Sequence, residues 1–164
     1  MPFSSNDINS LYPVVKHTIQ PSKDATDLLE MGKALLSIGR LDKAFEVLQE
    51  ALSILHQTCG PMHALTASCY SNLAMTLYSA GDINQALAYQ QKALIINERV
   101  HGLDHPDTAH SYGNLALFCH GLQKTDKALS YIQRALFLLK LLCGSDHPDI
   151  AATYINMAMM YQVF

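Results

Sequence analysis

The chain lacks the sequence features that mark membrane proteins, secreted proteins and enzymes. It has no apolar run of 18 residues, so no transmembrane helix is predicted. Its first residues show no basic segment followed by an apolar stretch, so we expect no signal peptide and a cytoplasmic location. It contains no nucleophile elbow, no phosphate-binding glycine loop and no HExxH motif. We therefore expect no enzyme activity, no cofactor and no metal.

Clustered positive charge is also missing. The formal net charge is −3 over 164 residues, which is too small to indicate a class of partner. Between residues 61 and 121 the only lysine or arginine residues are Lys92 and Arg99. A surface that follows a phosphate backbone needs clustered lysine and arginine, so direct RNA binding by this segment has weak support.

The chain does contain an internal repeat with a period of 42 residues. The segment 70–102 matches the chain shifted by 42 residues in either direction, without insertion or deletion. A fixed period of this length is typical of stacked repeat architectures. The matched positions are Ala44, Ala86 and Ala128; Ala51, Ala93 and Ala135; Gly60, Gly102 and Gly144; Tyr70, Tyr112 and Tyr154; Asn72, Asn114 and Asn156.

Each unit is predicted to form two helices. Apolar residues in the first half follow helical spacing, Gly81-Asp82 interrupts the pattern as a tight turn would, and helical spacing then resumes. Small residues such as Ala86 and Ala93 allow two helix backbones to approach closely. The prediction is an all-α, right-handed superhelix of antiparallel helix pairs.

The units divide the chain into a lead-in and an array. Residues 1–24 are expected to be extended or partly disordered, and residues 25–164 to form the array, with repeats at about 25–66, 67–108 and 109–150 and a half repeat at 151–164. Ser22 is the expected N-cap of the first helix, which should run from about Ala25 to Ile38. Its predicted inward side chains are Leu28, Met31, Leu35 and Ile38.

The links between repeats contain helix-start signals. The tetrapeptide DHPD occurs at 104–107 and 146–149. Asp104 and Asp146 are predicted to accept hydrogen bonds from the first helical N–H groups, and Pro106 and Pro148 suit the first turn. Since DHPD recurs with the repeat, capping explains it better than metal binding by His101, His105, His110 and His147.

Two further local features give expectations of their own. Gln123 stands where Gly39 and Gly81 stand in earlier repeats, so that turn is expected to use Gly121 or Lys124-Thr125. The four cysteines include no CxxC pair, and Cys59 and Cys143 occupy one repeat position two units apart. Free thiols in a reducing compartment are therefore predicted.

The repeat resembles the tetratricopeptide repeat, and its 42-residue form resembles the repeats of kinesin light chains and clustered mitochondria proteins. The segments QQKALIINERVHGLDHPDTAHSYGNLAL and GSDHPDIAATYINMAMMYQ carry the narrower similarity to the clustered mitochondria family, over roughly residues 25–164. That resemblance implies an interaction scaffold in mitochondrial distribution, associated with messenger RNAs for mitochondrial proteins. RNA contact is then expected mainly from other parts of a full-length protein. The alternative is a kinesin-light-chain-like adaptor that binds linear cargo peptides.

In such an array the first helices line a concave groove that binds a protein or a linear peptide. Asn72, Asn114 and Asn156 form a series that either binds a peptide backbone or fixes a neighbouring helix or loop. The sequence leaves both roles open. The full set of predicted groove residues is Lys33, Ser71, Asn72, Met75, Tyr78, His110, Asn114, Leu117, His120, Asn156 and Met159.

The last predicted helix has no partner helix in the chain. Phe137, Leu138 and Leu141 of the preceding helix are therefore expected to lack cover. Either self-association through this end or a longer natural chain is expected.

Overall fold

The computed structural model describes residues 22–144 and 146–162, and within these ranges it contains seven α-helices and no strand. Most of the predicted lead-in, residues 1–21, lies outside the described residues. The helices are α1 Lys23–Ser37, α2 Leu41–Thr58, α3 Ala64–Ala80, α4 Ile83–Val100, α5 Pro106–Gly121, α6 Thr125–Cys143 and α7 Pro148–Tyr161.

The helices form two layers. Each helix packs against the helices before and after it in the chain, and α1 also contacts α3, α3 contacts α5, and α5 contacts α7. In the described part of the chain, no Cα atom of α2, α4 or α6 lies within 8 Å of a Cα atom of another of these three helices. The odd-numbered helices are therefore the more closely spaced inner layer. The surface that they line is concave, and we call it the groove.

Small residues lie at the helix contacts, as predicted. The two alanine positions of each even-numbered helix are buried to within 1% in every repeat: Ala44, Ala51, Ala86, Ala93, Ala128 and Ala135. In the first pair, Gly32 faces Leu48, and a Cβ atom built at Gly32 would lie 2.5 Å from Leu48 Cδ2. Close approach of the backbones is thus a property of every pair.

The inward face of α1 differs from the predicted one. Met31 and Ile38 are 47% and 71% exposed, and Leu28 and Leu35 are only partly buried. Among the described helices only α2 and α3 contact α1, and the exposed Met31 and Ile38 lie outside these two contacts. The buried residues of this helix are Ala25, Leu29 and Gly32.

Histidine, not aspartate, caps the helices that follow the links. His105 occupies the N-cap of α5 and its Nδ1 accepts from the Asp107 N–H at 3.2 Å. His147 does the same for α7 at 3.3 Å, and His63 caps α3 at 3.2 Å. The prediction of Asp104 and Asp146 is therefore wrong by one residue, because the proline after the histidine takes the first helical position. Ser22 stands at the N-cap of α1, but its side chain makes no capping hydrogen bond.

The turns between paired helices have one geometry in all three repeats. Gly39 and Gly81 have φ angles of 81° and 92°, and the N–H of the next residue bonds back across the helix end. In the third repeat Gln123 itself adopts φ 58°, and the Lys124 N–H donates to Cys119 O at 2.9 Å. The prediction that Gly121 or Lys124-Thr125 makes this turn is wrong. Gly121 ends α5, where a Cβ would lie 3.0 Å from Ile83 Cδ1.

The helix bounds also refine the repeat boundaries. Helices α3, α5 and α7 begin at Ala64, Pro106 and Pro148, three residues before the predicted starts of the second, third and half repeats. The helix α1 begins at Lys23, two residues early. The repeats are named here by their helix pairs: α1–α2, α3–α4, α5–α6, and α7 alone.

At the end of α6, burial is uneven. Phe137 and Leu141 are 60% and 62% exposed, as expected, whereas Leu138 is 1% exposed and packs against Ile150 of α7. The expectation that Leu138 lacks cover is therefore wrong, because α7 packs on that side of α6.

Candidate functional site

The groove contains a small polar cavity between α3 and α5, which we call cavity A. Its volume is about 140 Å³, and Asn97, near the end of α4, contributes to its wall. The packing of α3, α4 and α5 against one another holds these elements in place. The lining residues are Ala64, Ser68, Ser71, Asn72, Asn97, Asp107, His110 and Ser111.

A second cavity, cavity B, lies between α5 and α7 and has a volume of about 130 Å³. It is lined by Ala109, His110, Gly113, Asn114, Leu117, Ile132, Ala135, Leu139, Asp149, Ala152, Thr153 and Asn156. A larger depression of about 550 Å³ lies at the α1–α2 turn, from Gly39 to Lys43. That depression follows one turn at the edge of the fold, so the two groove cavities are the better candidate sites.

The structure brings six of the predicted groove residues together. Ser71, Asn72 and His110 line cavity A. Asn114, Leu117 and Asn156 line cavity B, and His110 lies between the two cavities and contributes to both. Their role in binding stays a prediction.

The remaining five predicted residues lie elsewhere. Lys33 pairs with Glu30 at 2.8 Å, and Met159 is 45% exposed on α7. Tyr78 stacks on Phe118 with ring centroids 4.9 Å apart, and Met75 packs into the same cluster. Among the described residues, the buried Nδ1 atom of His120 has no hydrogen-bond partner. None of the five lines either cavity.

Two of the three repeated asparagines make hydrogen bonds inside the array. Asn72 Nδ2 donates to Ser68 O at 2.8 Å, within α3. Asn114 Nδ2 donates to Ser71 Oγ at 3.3 Å and so links α5 to α3. In both residues one N–H of the side-chain amide bonds within the array, and these bonds use neither the second N–H nor the amide oxygen.

Comparison with protein families identifies the repeat. The model of the tetratricopeptide repeat matches residues 24–94, 70–140 and 111–162, which together span most of the chain. The chain belongs to the tetratricopeptide repeat family. Its fold is that of a tetratricopeptide superhelix, as the sequence predicts.

Among curated proteins, the array is similar to clustered mitochondria proteins. It is 56% identical over 77 residues to the clustered mitochondria protein of Arabidopsis thaliana and 46% identical over 77 residues to the homolog of Dictyostelium discoideum. Each match covers 47% of this chain and only 6% of the relative's length. The predicted resemblance to this family is thus confirmed over about half of the chain.

Solved structures show the same tetratricopeptide fold. BtubC (BKLC) from P. vanneervenii superposes with a TM-score of 0.78 at 26% identity, over 84% of this chain and 55% of that chain. A Podosopora anserina protein with nearly identical TPR-like repeats, described as a kinesin light chain, gives 0.75 at 19%, over 84% and 65%. The first tetratricopeptide domain of Spaghetti (RPAP3), bound to an HSP90 peptide SRMEEVD, gives 0.63 at 17%, over 87% and 94%. The last two identities show the fold alone.

Sequence reasoning missed part of the tetratricopeptide groove. Asn97 Nδ2 donates to Ser111 Oγ at 3.0 Å and to Asp107 O at 3.3 Å. Gln90 is fully buried, and its Oε1 accepts from Ser71 Oγ at 3.1 Å. The signal that could have found them is a break in the repeat, since these two α4 positions are apolar in the neighbouring repeats.

The α4–α5 link holds the side chains that could coordinate a metal ion. One ligand atom from each of His101, His105 and Asp107 lies within 4.8 Å of the others, and the two imidazole rings stack at 4.2 Å. His105 already uses Nδ1 to cap α5. The capping role accounts for His105 and for its equivalents in the other two links, His63 and His147. The position of His101, by contrast, is occupied by cysteine in the other two links, Cys59 and Cys143.

The cysteine thiols in the array are free, as predicted. Burial raises the pKa of the Cys69 thiol from 9.0 to about 12. Burial also raises the pKa of Cys119. A thiol reacts as the thiolate, so both groups are chemically quiet at neutral pH. Cys69 instead donates to Leu48 O at 3.2 Å.

The two basic residues between residues 61 and 121, Lys92 and Arg99, both lie on the outer helix α4. The ammonium of Lys92, on α4, stands 5.5 Å and 5.3 Å from the ring centroids of Tyr70 and Tyr89. The Lys92 side chain therefore interacts with these two rings on the outer layer.

Among the described helices, none has the length and apolar content needed to cross a membrane.

Proposed function

We propose that this array is the protein-interaction segment of a clustered-mitochondria-type protein and that its groove binds an extended peptide. The observation that carries the proposal is the alignment of cavities A and B one repeat apart. A bound strand could place successive side chains in the two cavities while the amide oxygens of Asn72, Asn114 and Asn156 accept from its backbone. The Spaghetti neighbour, which has this fold, is bound to a peptide.

Mitochondrial distribution and a cytoplasmic location are part of this proposal. Support comes from the names of the relatives, which match at 46–56% identity. The alternative function, a kinesin-light-chain-like adaptor, would also bind its linear cargo peptide in this groove. The Podosopora similarity, at 19% identity, supports the fold and not the cargo.

The test is peptide selection on the purified 164-residue chain. The probe is a library of ten-residue peptides with random sequence, acetylated and amidated at the ends, and selection is compared with blank resin. We expect enriched peptides whose binding weakens in Asn114→Ala by roughly 2- to 10-fold, the loss of one neutral hydrogen-bonding group. Asn84→Ala, an exposed change on α4, is the matched control.

A salt titration separates peptide binding from RNA binding. The groove carries few charges, so peptide affinity should change little between 50 and 200 mM salt. Direct RNA binding predicts a steep fall, with a log–log slope of about 0.7 per phosphate for a single strand. Tight, salt-sensitive RNA binding without any enriched peptide would refute the proposal.

We also propose that the outer face of α7 self-associates. Tyr154 is 46% exposed and Ala158 is exposed, although the corresponding Tyr70 and Ala74 are buried in the second repeat. Sedimentation velocity from 1 to 200 μM should show a rising mass, and Ile155→Glu should abolish the rise. A constant monomer mass would refute this part alone.

A further inference from the structure

The permanent charge on the groove helices around cavities A and B has one sign. Helices α3, α5 and α7 contain two aspartates, Asp107 and Asp149, and no glutamate, lysine or arginine. From Ala64 to Tyr161, the lysines and arginines lie on the outer helices α4 and α6 or in the turn before α6. In the first repeat, the predicted groove residue Lys33 is already paired with Glu30 at 2.8 Å. The wall of the two cavities is therefore acidic.

The two aspartates occupy the same place in successive repeats. Asp107 lies in the first turn of α5 and lines cavity A, and Asp149 lies 42 residues later, in the first turn of α7, and lines cavity B. Their side chains are 58% and 41% exposed, so both carboxylates are accessible to a ligand. The Oδ2 atom of Asp149 stands 3.5 Å from Nε2 of His110, the residue that lines both cavities. This carboxylate thus faces α5 across the groove.

Neither carboxylate has a lysine or arginine partner among the described residues. The ionisable groups within 4 Å are imidazoles: two from the α4–α5 link at 3.7 Å from Asp107, and those of His110 and His147 at 3.5 Å from Asp149. An imidazole is a cation only when it is protonated, whereas lysine and arginine carry their charge at neutral pH. The two aspartates can therefore still pair with a cation that a ligand brings.

Helix formation does not require these two carboxylates. An acidic group in the first turn does interact favourably with the helix dipole. The equivalent residue of α3 is Leu65, however, and α3 forms without an acidic residue in its first turn. In α5 and α7, the capping bonds use the backbone N–H groups of Asp107 and Asp149, not their side chains. The carboxylate oxygens thus take no part in the caps and can accept from a ligand.

Building on the proposed peptide groove, we propose that its ligand is a basic peptide segment, which places lysine or arginine side chains against Asp107 and Asp149. Each carboxylate offers two oxygens to an ammonium or guanidinium group. Packed helices such as α5 and α7 have axes about 8–10 Å apart, and an extended strand rises about 3.3 Å per residue. The two basic residues of the peptide should therefore lie about two to four positions apart.

The same charges disfavour acidic ligands. A carboxylate or phosphate placed beside either aspartate would be repelled, and such like-charge contacts suppress wrong partners. The Spaghetti neighbour is bound to the peptide SRMEEVD, which has three acidic residues and one basic residue. This chain should reject that peptide. Because exposed ion pairs are individually weak, two of them still leave the salt dependence of peptide binding small.

The experiment repeats the peptide selection with the wild-type chain, Asp107→Asn, Asp149→Asn and two matched controls. The controls Asp104→Asn and Asp146→Asn remove the same charge from the same DHPD tetrapeptides, but neither residue lines a cavity. The wild type and the controls should enrich lysine or arginine at two positions and deplete acidic residues. Each test variant should lose the preference at one position and bind the best basic peptide about 2- to 5-fold more weakly.

A change in the peptide provides a test that does not depend on how a variant folds. Replacing one basic residue of the best peptide with glutamine should weaken binding to the wild type by the same factor of about 2 to 5. The same replacement should have little further effect on the variant that lacks the matching carboxylate, as a double-mutant cycle requires for a direct pair. The acidic peptide SRMEEVD should not displace the basic peptide from the wild type.

The outcomes that would overturn this assignment differ from those that would overturn the groove. Enriched peptides without a preference for lysine or arginine would refute the basic ligand and leave the groove intact. Equal affinities for Asp146→Asn and Asp149→Asn would do the same, because the charge would then act without a position. No enriched peptide with the wild type would remove the groove and its basic ligand together.

Discussion

The buried amide of Gln90 gives a stability prediction of unusual sign for a core substitution. Replacing it with leucine removes a buried Nε2 that has no partner among the described residues, which relieves roughly 1–3 kcal/mol. It also removes the hydrogen bond from Ser71 at 3.1 Å, which contributes about 0.5–1.5 kcal/mol. Leucine and glutamine have similar helix propensities, so the backbone term cancels. We expect Gln90→Leu to raise the free energy of unfolding by about 1 kcal/mol.

Urea denaturation monitored by circular dichroism measures this change. The midpoint should rise while the slope with urea stays the same, because the surface exposed on unfolding is almost unchanged. Gln91→Leu, on the exposed side of α4, should stay within about 0.5 kcal/mol of the wild type. Loss of more than 1 kcal/mol in Gln90→Leu would show that the amide is fully satisfied in the folded protein, and the argument for an unmet donor would fail.

Three further predictions address packing, capping and thiol chemistry. Ala93→Leu should overpack the fully buried contact with Ala67 and lower the free energy of unfolding by ~1–3 kcal/mol in urea denaturation, whereas Ala88→Leu, exposed on the same helix, should lower it by under about 0.5 kcal/mol. Equal urea midpoints for the two variants would mean that the faces of α4 are misassigned. His105→Ala should lower the free energy of unfolding by about 1 kcal/mol because it removes the α5 cap, and Asp104→Ala should lower it by under about 0.5 kcal/mol. The reverse order would indicate that Asp104, not His105, caps α5. Maleimide at pH 8 should modify Cys59 and Cys143 in the folded chain and Cys69 only after unfolding, and rapid labelling of Cys69 would contradict its burial. Because the Cys69 thiol ionises at a lower pH in the unfolded chain than in the folded chain, the free energy of unfolding should fall by up to about 1.4 kcal/mol per pH unit between pH 9 and pH 12.

Positions shared by the repeats could be predicted from the sequence. The alanines at Ala86 and Ala93 and the turn at Gly81 recur every 42 residues, and each recurrence reflects a backbone contact or a left-handed turn that every repeat needs. Such positions depend on local geometry, so their pattern alone locates them. The helix order and the two layers follow from them.

Other features depend on choices between neighbouring residues. Asp104 and His105 can both accept a hydrogen bond, and only the placement of Pro106 at the first helical position selects the histidine. The repeat pattern could have identified histidine as the capping residue, because the first link keeps the histidine, His63, but has Met62 at the position of Asp104. Gln123 could not be predicted in the left-handed region, since the hydrogen bonds of the turn, not its own preference, hold it there.

The candidate site was the hardest part to predict because it lies where the repeat is broken. A search for matched positions emphasises residues that every unit needs for packing, and these are the same in cavities A and B. Binding preference requires the cavities to differ, so the informative residues are the departures, such as Gln90 against Ile132 and Asn97 against Leu139. Of these two polar side chains, Asn97 is hydrogen-bonded, whereas the Nε2 of Gln90 has no partner among the described residues. The matched positions therefore build the helix pairs, and the two cavities differ at unmatched positions such as Asn97 and Leu139.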